Sequence, residues 1–302
     1  MSDGRPLPRL GWVLLGAITI FWGTNWVAMK VALAEIPVWQ YRALTSGLAG
    51  LALLGLARLG GHRLRVATAA WRPLVLGAAF NVTGWYVLSA YAIRLLGSGE
   101  ASVVSYTMPV WATLLGVVVL GERLTPRIVA ALGLSVIGIL ALLSNNLEAL
   151  GASPLGVLIM LSASFSWAAG TIVQKRAAWP MPVIAVAGWQ LLIGAIPILL
   201  VAVTSEPFRL GQASDVALWA VLYTLLLPSI FCYYAWYKVV SLFPASVASI
   251  GTVLVPVVAM LSGALLLHEA LGWRQFTALV AVGAAIALVL SESSRGAAAE
   301  RA

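Results

Sequence analysis

Two stretches decide the reading: SVVSYTMPVWATLLGVVVLGERLTPR at residues 102–127 and SIGTVLVPVVAMLSGALLLHEALGWR at residues 249–274. They align at a constant offset of 147. Ser102 meets Ser249, Pro109 meets Pro256, Val110 meets Val257, Ala112 meets Ala259, Glu122 meets Glu269 and Arg127 meets Arg274. Apolar residues match by chance in any two hydrophobic segments; Pro, Glu and Arg matched at one spacing do not. Outward from this core, Tyr86 falls on Tyr233 at the same offset. Trp22 and Lys30 parallel Trp167 and Lys175 at offset 145, and Trp39–Gln40 parallels Trp189–Gln190 at offset 150. The chain therefore reads as a duplication, with repeats over residues 1–147 and 148–302.

The composition says where such repeats reside. Of 302 residues, 62% are hydrophobic and 9% charged, and mean hydropathy is +0.99. Soluble domains carry about 25% charged residues, so a soluble enzyme and a soluble nucleic-acid binder are both excluded, despite a net charge of +8. A spanning helix needs about 20 apolar residues. Ten spans fit, near residues 10–33, 38–59, 73–94, 100–121, 127–144, 154–174, 182–203, 216–239, 245–267 and 275–291. The segments lack the period-two alternation of a β-barrel. The expected fold is an all-α polytopic membrane protein of ten helices. Five spans per repeat is an odd number, so the second copy enters the membrane from the opposite side. Inverted repeats around a central cavity are an architecture of secondary transporters.

Orientation follows from the positive residues. With a cytoplasmic N-terminus, 13 Lys and Arg fall on the cytoplasmic side and 5 (Lys30, Arg42, Arg94, Arg209, Arg274) on the other. Both termini are expected inside. Fifteen Arg against three Lys, with abundant Ala and Gly, points to a GC-rich bacterial genome, and a bacterial inner membrane is the expected location. The first apolar run, 10–33, is too long for a signal-peptide core. The single cysteine, Cys232, excludes an intramolecular disulfide.

Ionisable groups inside a bilayer are costly and usually functional, yet none reads as mid-span. Glu100, Glu122 and Glu269 fall at span ends. Lys30, Arg42, Lys175 and Lys238 also lie near ends, where long side chains snorkel to the interface. Interface anchoring or helix capping accounts for them; Glu122, Glu269 and Arg42 are alternatively gating or structural residues, and Lys30 and Arg42 are long enough to reach inward. His62 and His268 fall in loops. No metal cluster and no cofactor motif is present.

The candidate site is consequently neutral. In the first span Trp22 and Asn25 share a face with Trp26 and Met29; Asn25 serves either an interhelical hydrogen bond or a solute. Asn81, Trp85 and Tyr86 come from the third span, Tyr106 from the fourth, Trp167, Thr171 and Gln174 from the sixth, Tyr233 and Trp236 from the eighth, Ser249 and Thr252 from the ninth. Pro109 and Pro256 each lack an amide hydrogen and free a carbonyl that is tolerated only against protein or a wet cavity. Aromatic walls with a few amides and hydroxyls suit a neutral or zwitterionic organic solute.

These residues resemble a known family. FWGTNWVAMKVAL from Phe21, Arg42 after IPVWQY, the fourth-span Pro followed by GERLT with Glu122, and HEAL with Glu269 are similar to EamA-type transporters of the drug/metabolite transporter superfamily. The resemblance covers nearly the whole chain. It implies ten helices, cytoplasmic termini, a central cavity and efflux of small metabolites, with amino-acid exporters most similar. Two positions depart from symmetry: Leu192 stands where a second Arg42 would fall, and His268 replaces Gly121. The expected function is export of amino acids, aromatic or otherwise neutral, by facilitated alternating access of a monomer in the lipid bilayer. The alternatives are a scaffold or lipid-handling membrane protein and an exporter of drugs or other metabolites. No catalytic motif supports an enzyme.

Overall fold

In the computed structural model, residues 9–120, 152–207, 209–242 and 255–269 are described, with further positions within 126–137 and 272–288. They are helical, without a strand among them. Helix α1 is Arg9–Glu35 and α2 is Val38–Leu59; α3 (Trp71–Gly77) continues through a π-helical stretch, Ala78–Gly84, into α4 (Trp85–Leu95). Two short helices follow, α5 (Ser98–Ser105) and α6 (Met108–Leu120). Beyond them come α7 (Ala152–Arg176), α8 (Val183–Ser205) and α9 (Asp215–Thr224). A second π-helical stretch, Leu225–Phe231, joins α9 to α10 (Cys232–Leu242), and α11 is Val255–Leu267. Among the described residues, six helical segments are long and apolar enough to cross a membrane: Arg9–Glu35, Val38–Leu59, Thr68–Leu95, Pro154–Gln174, Val183–Ser205 and Asp215–Trp236.

The helix boundaries follow from local chemistry. Pro37 and Pro182 stand at the N-caps of α2 and α8, where a missing amide hydrogen costs nothing. Ser214 caps α9 by accepting from the Ala217 amide at 3.3 Å. Pro109 and Pro256 are each the second residue of a helix, α6 and α11. The fourth apolar run is thus two helices, separated by a turn at Tyr106–Thr107. At the end of α11, His268 adopts a left-handed φ of 54° and the Glu269 amide donates to the Gly263 carbonyl at 3.2 Å. The left-handed residue ends the helix, and the Glu269 side chain turns back toward the bundle.

Large apolar side chains face outward along these helices: Val13, Leu200, Val203, Trp219 and Leu265 are all more than half exposed. In water such a surface would be an aggregation hazard; in a bilayer it is the lipid face. Between helices the hydrophobic effect gains little, so close packing must hold the bundle. The α2–α8 contact illustrates this. A Cβ on Gly50 would lie 2.7 Å from the Leu192 amide nitrogen, and one on Gly188 would lie 2.9 Å from Leu54. Glycine lets the two backbones meet.

One carbonyl in each π-helical stretch also accepts a side-chain hydrogen bond from another helix. Ser166 of α7 donates to Phe80 O at 2.7 Å, and the Trp22 indole of α1 donates to Pro228 O at 3.3 Å. Residues 78–84 and 225–231 are separated by the same 147 as the two quoted sequence stretches, as are α6 and α11.

Candidate functional site

A cavity lies among α1, α2, α4, α7 and the second π-helical stretch, with about 740 Å³ of empty space counted to its open mouth. Its walls are aromatic. Trp22, Trp26, Trp85, Tyr86, Tyr106, Trp167 and Tyr233 line it. Trp85 bridges Trp26 and Trp167 by edge-on contacts, with ring centroids 6.5 and 5.4 Å apart.

The polar groups form short chains across helices. The Tyr41 hydroxyl donates to Thr224 Oγ1 at 3.0 Å, which donates to Asn25 Oδ1 at 2.9 Å. Asn25 therefore bonds across helices, and it also lines the cavity. Tyr86 donates to Tyr233 at 3.2 Å. These two residues are counterparts at the 147 offset, and they touch.

Arg42 takes the inward course of the two the sequence left open. Its nearness to a span end suggested snorkelling to the interface. Instead its side chain is 4% exposed. Nη2 donates to Ser89 Oγ at 2.8 Å and meets Met29 Sδ at 2.7 Å, and the guanidinium lies 4.8 Å from the Tyr86 ring centroid and 5.2 Å from that of Tyr41. The reason is the helix face. Val38, Arg42, Thr45, Ser46, Ala49 and Leu53 are all buried on α2, and their spacing of three and four puts them on one side. Depth along the helix mattered less than direction around it.

The other expected site residues divide. Asn81 is not on the cavity wall. The wider π turn changes its register against Trp85, and its amide lies against Gly170 of α7, leaving no room for a Cβ there. The Thr171 hydroxyl turns back to the Trp167 carbonyl at 3.0 Å. Gln174 has a buried amide nitrogen outside the cavity lining. Trp236 supports the wall from behind, its ring 5.9 Å from that of Trp22. Pro256 is buried next to the lining residue Val255. Ser249, Thr252 and Glu122 lie outside the described residues, as does the side chain of Pro109. Ser89 and Thr224 line the cavity without having been singled out. Ser89 follows Trp85 by four residues, a signal that was legible; nothing near Thr224 marked it.

Glu269 sits away from the cavity lining, at the end of the bundle where α1 ends and α5 begins. It accepts from the Ser98 amide at 2.9 and 3.0 Å, from Ser98 Oγ at 2.8 Å and from Lys30 Nζ at 2.9 Å. Lys30 also donates to Leu96 O at 3.1 Å. Burial pushes the Glu269 carboxyl up, and the Ser98 and Lys30 contacts outweigh it, holding the group below its ordinary value. The same end carries two more carboxylates at helix starts. Glu206 accepts from the Gln40 amide of α2 at 3.2 Å, and Glu35 accepts from the Ser214 amide ahead of α9 at 2.7 Å.

The EamA-like transporter family model matches twice along the chain, over residues 9–144 and 154–291. The chain belongs to the EamA-like transporter family. This transporter is 27% identical over 260 residues to the uncharacterized transporter YoaV of Bacillus subtilis, covering 85% of this chain and 89% of that one. It is 28% identical over 281 residues to a protein of Salmonella typhimurium named "Probable amino-acid metabolite efflux pump", covering 89% and 91%. A solved structure superposes with a TM-score of 0.67 at 23% identity, over 92% of this chain and 96% of the other. That likeness speaks for the fold alone.

Proposed function

We propose that this membrane transporter exports small metabolites, amino acids first among them, by alternating access. Two five-helix repeats, residues 1–147 and 148–302, of opposite orientation would exchange conformations around the aromatic cavity. The cavity residues Trp22, Asn25, Trp85, Tyr86, Tyr106, Trp167 and Tyr233 hold the solute. Asn81, Thr171, Gln174, Trp236, Ser249 and Thr252 support it. Pro109, Pro256, Glu122 and Glu269 belong to the moving or gating parts. Both termini are cytoplasmic, in a bacterial inner membrane, and the monomer is the working unit.

One observation carries this reading. Irregular backbone recurs at the 147 offset, as π-helical stretches and as proline-led helices, and Met108, Pro228, Ser229 and Val255 from it line one cavity. Inverted repeats with broken helices at the midplane are how secondary transporters build a site with two equivalent open states. The family match and the efflux-pump name of a relative point the same way. No carboxylate or histidine of the described residues lines the cavity, which favours facilitated transport over proton coupling.

The test is counterflow of labelled aromatic and aliphatic amino acids into proteoliposomes. Saturable exchange is expected, unaffected by an imposed pH gradient. Accumulation above equilibrium that collapses with a protonophore would overturn the facilitated mechanism. Absence of exchange for every amino acid would overturn the substrate class.

A further inference from the structure

We infer that Arg42 is the anchor for a carboxylate, and that the cavity takes small aromatic or apolar monocarboxylates whether or not they carry an α-amino group. The inference rests on the transporter reading above and narrows it from amino acids to the acid group itself.

Arg42 presents five donor hydrogens. Two are used on Nη2, toward Ser89 and Met29. Nε is buried without a partner. Neither partner of Nη2 carries charge, and a thioether is a weak acceptor. Among the described residues that line the cavity there is no Asp or Glu. A cation taken out of water is costly unless paired, and the flanking tyrosine rings recover only part of that through their π faces. The guanidinium nevertheless stands at the cavity wall, its remaining donors uncommitted. A carboxylate that displaces the weakly held Met29 sulfur from Nη2 gains a two-point contact with the guanidinium fork. Asn25, whose carbonyl is occupied by Thr224, keeps its amide hydrogens for the same oxygen pair. Trp26, Trp85 and Trp167 give the rest of the ligand a flat apolar slot.

The charge count sets the class. A monocarboxylate neutralises the site. A zwitterionic amino acid brings an ammonium that meets no carboxylate on the described lining, so its amino group contributes little to binding. A bare amine meets only Arg42 and is repelled.

Binding is read by quenching of intrinsic tryptophan fluorescence in the purified full chain, independently of transport. The ligands are 3-phenylpropionate, 3-phenylpropionamide and 2-phenylethylamine. The acid is expected to bind at least tenfold tighter than the amide, the amine not to bind, and phenylalanine to compete within about threefold of the acid. Arg42→Gln should bring the acid-to-amide ratio to one; Arg42→Lys should keep part of it. Equal binding of acid and amide to the wild type overturns the inference, whatever the variants do. So does an acid preference that survives in Arg42→Gln, or lack of saturable binding by the acid. Counterflow failing while acid binding holds would count against the transport reading alone.

Discussion

Replacing Glu269 by Gln keeps its shape and removes its charge, so it isolates what the carboxylate does at the start of α5. The wild-type group accepts the Ser98 amide and hydroxyl and pairs with Lys30, all within 3.0 Å. A hydrogen bond to a charged group contributes about 1.5–3 kcal/mol, and a negative charge at a helix start adds about 0.3–1. The ion pair, partly exposed on both sides, adds no more than about 1. Gln retains one oxygen for the Ser98 amide but turns an NH₂ toward the Ser98 and Lys30 donors. The expected net loss is about 2–3 kcal/mol at neutral pH, or roughly 5 °C in melting temperature. The pH dependence fixes the sign. The folded carboxyl lies below its ordinary 4.5, so its contribution is complete above that value and is lost as pH falls through the lower folded one. Melting curves of wild type and Glu269→Gln in detergent should differ at pH 7 and converge in acid. A variant that melts within 1 °C of wild type at pH 7, or a gap undiminished well below pH 4.5, would refute the reasoning.

Two further substitutions probe backbone positions. Gly170→Ala places a methyl on the Asn81 amide and should cost about 1–3 kcal/mol, read as a lower melting temperature; Gly16→Ala, whose added Cβ meets nothing within 4 Å, should leave it unchanged. His268→Gly relieves a left-handed φ that costs about 1 kcal/mol or more in a side-chain-bearing residue, so it should raise the melting temperature by a few degrees and leave the Glu269 pH dependence as it was.

The apolar spans were legible because composition and length alone impose them: α1, α2 and α8 begin and end within about two residues of where hydropathy put them. The aromatic wall was half legible. Trp22, Asn25, Trp85, Tyr86 and Tyr233 follow from spacing of three and four on regular helices. Asn81 did not, because a π turn is invisible to a 3.6-residue period and moves the side chain off the expected face. Arg42 was left between interface and interior for a different reason. Distance from the span end was given weight that belonged to the buried helix face on which it lies. The cap at Ser98 could not be read at all, since Glu269 is 171 residues away and only folding brings them together.

The contact between Tyr86 and Tyr233 has a consequence for how a bundle of this kind could switch. Under the proposed exchange, each residue takes the setting of its counterpart 147 positions away. Most contacts are thereby traded for others. A pair made of two counterparts is traded for itself, so its hydroxyls, 3.2 Å apart here, would be neighbours on both sides of the switch. Such a pair behaves as a hinge pin: everything swings about it, and it stays put. Arg42 sits against the Tyr86 ring, so an acid bound there would rest beside the pivot and would change sides of the membrane almost without travelling.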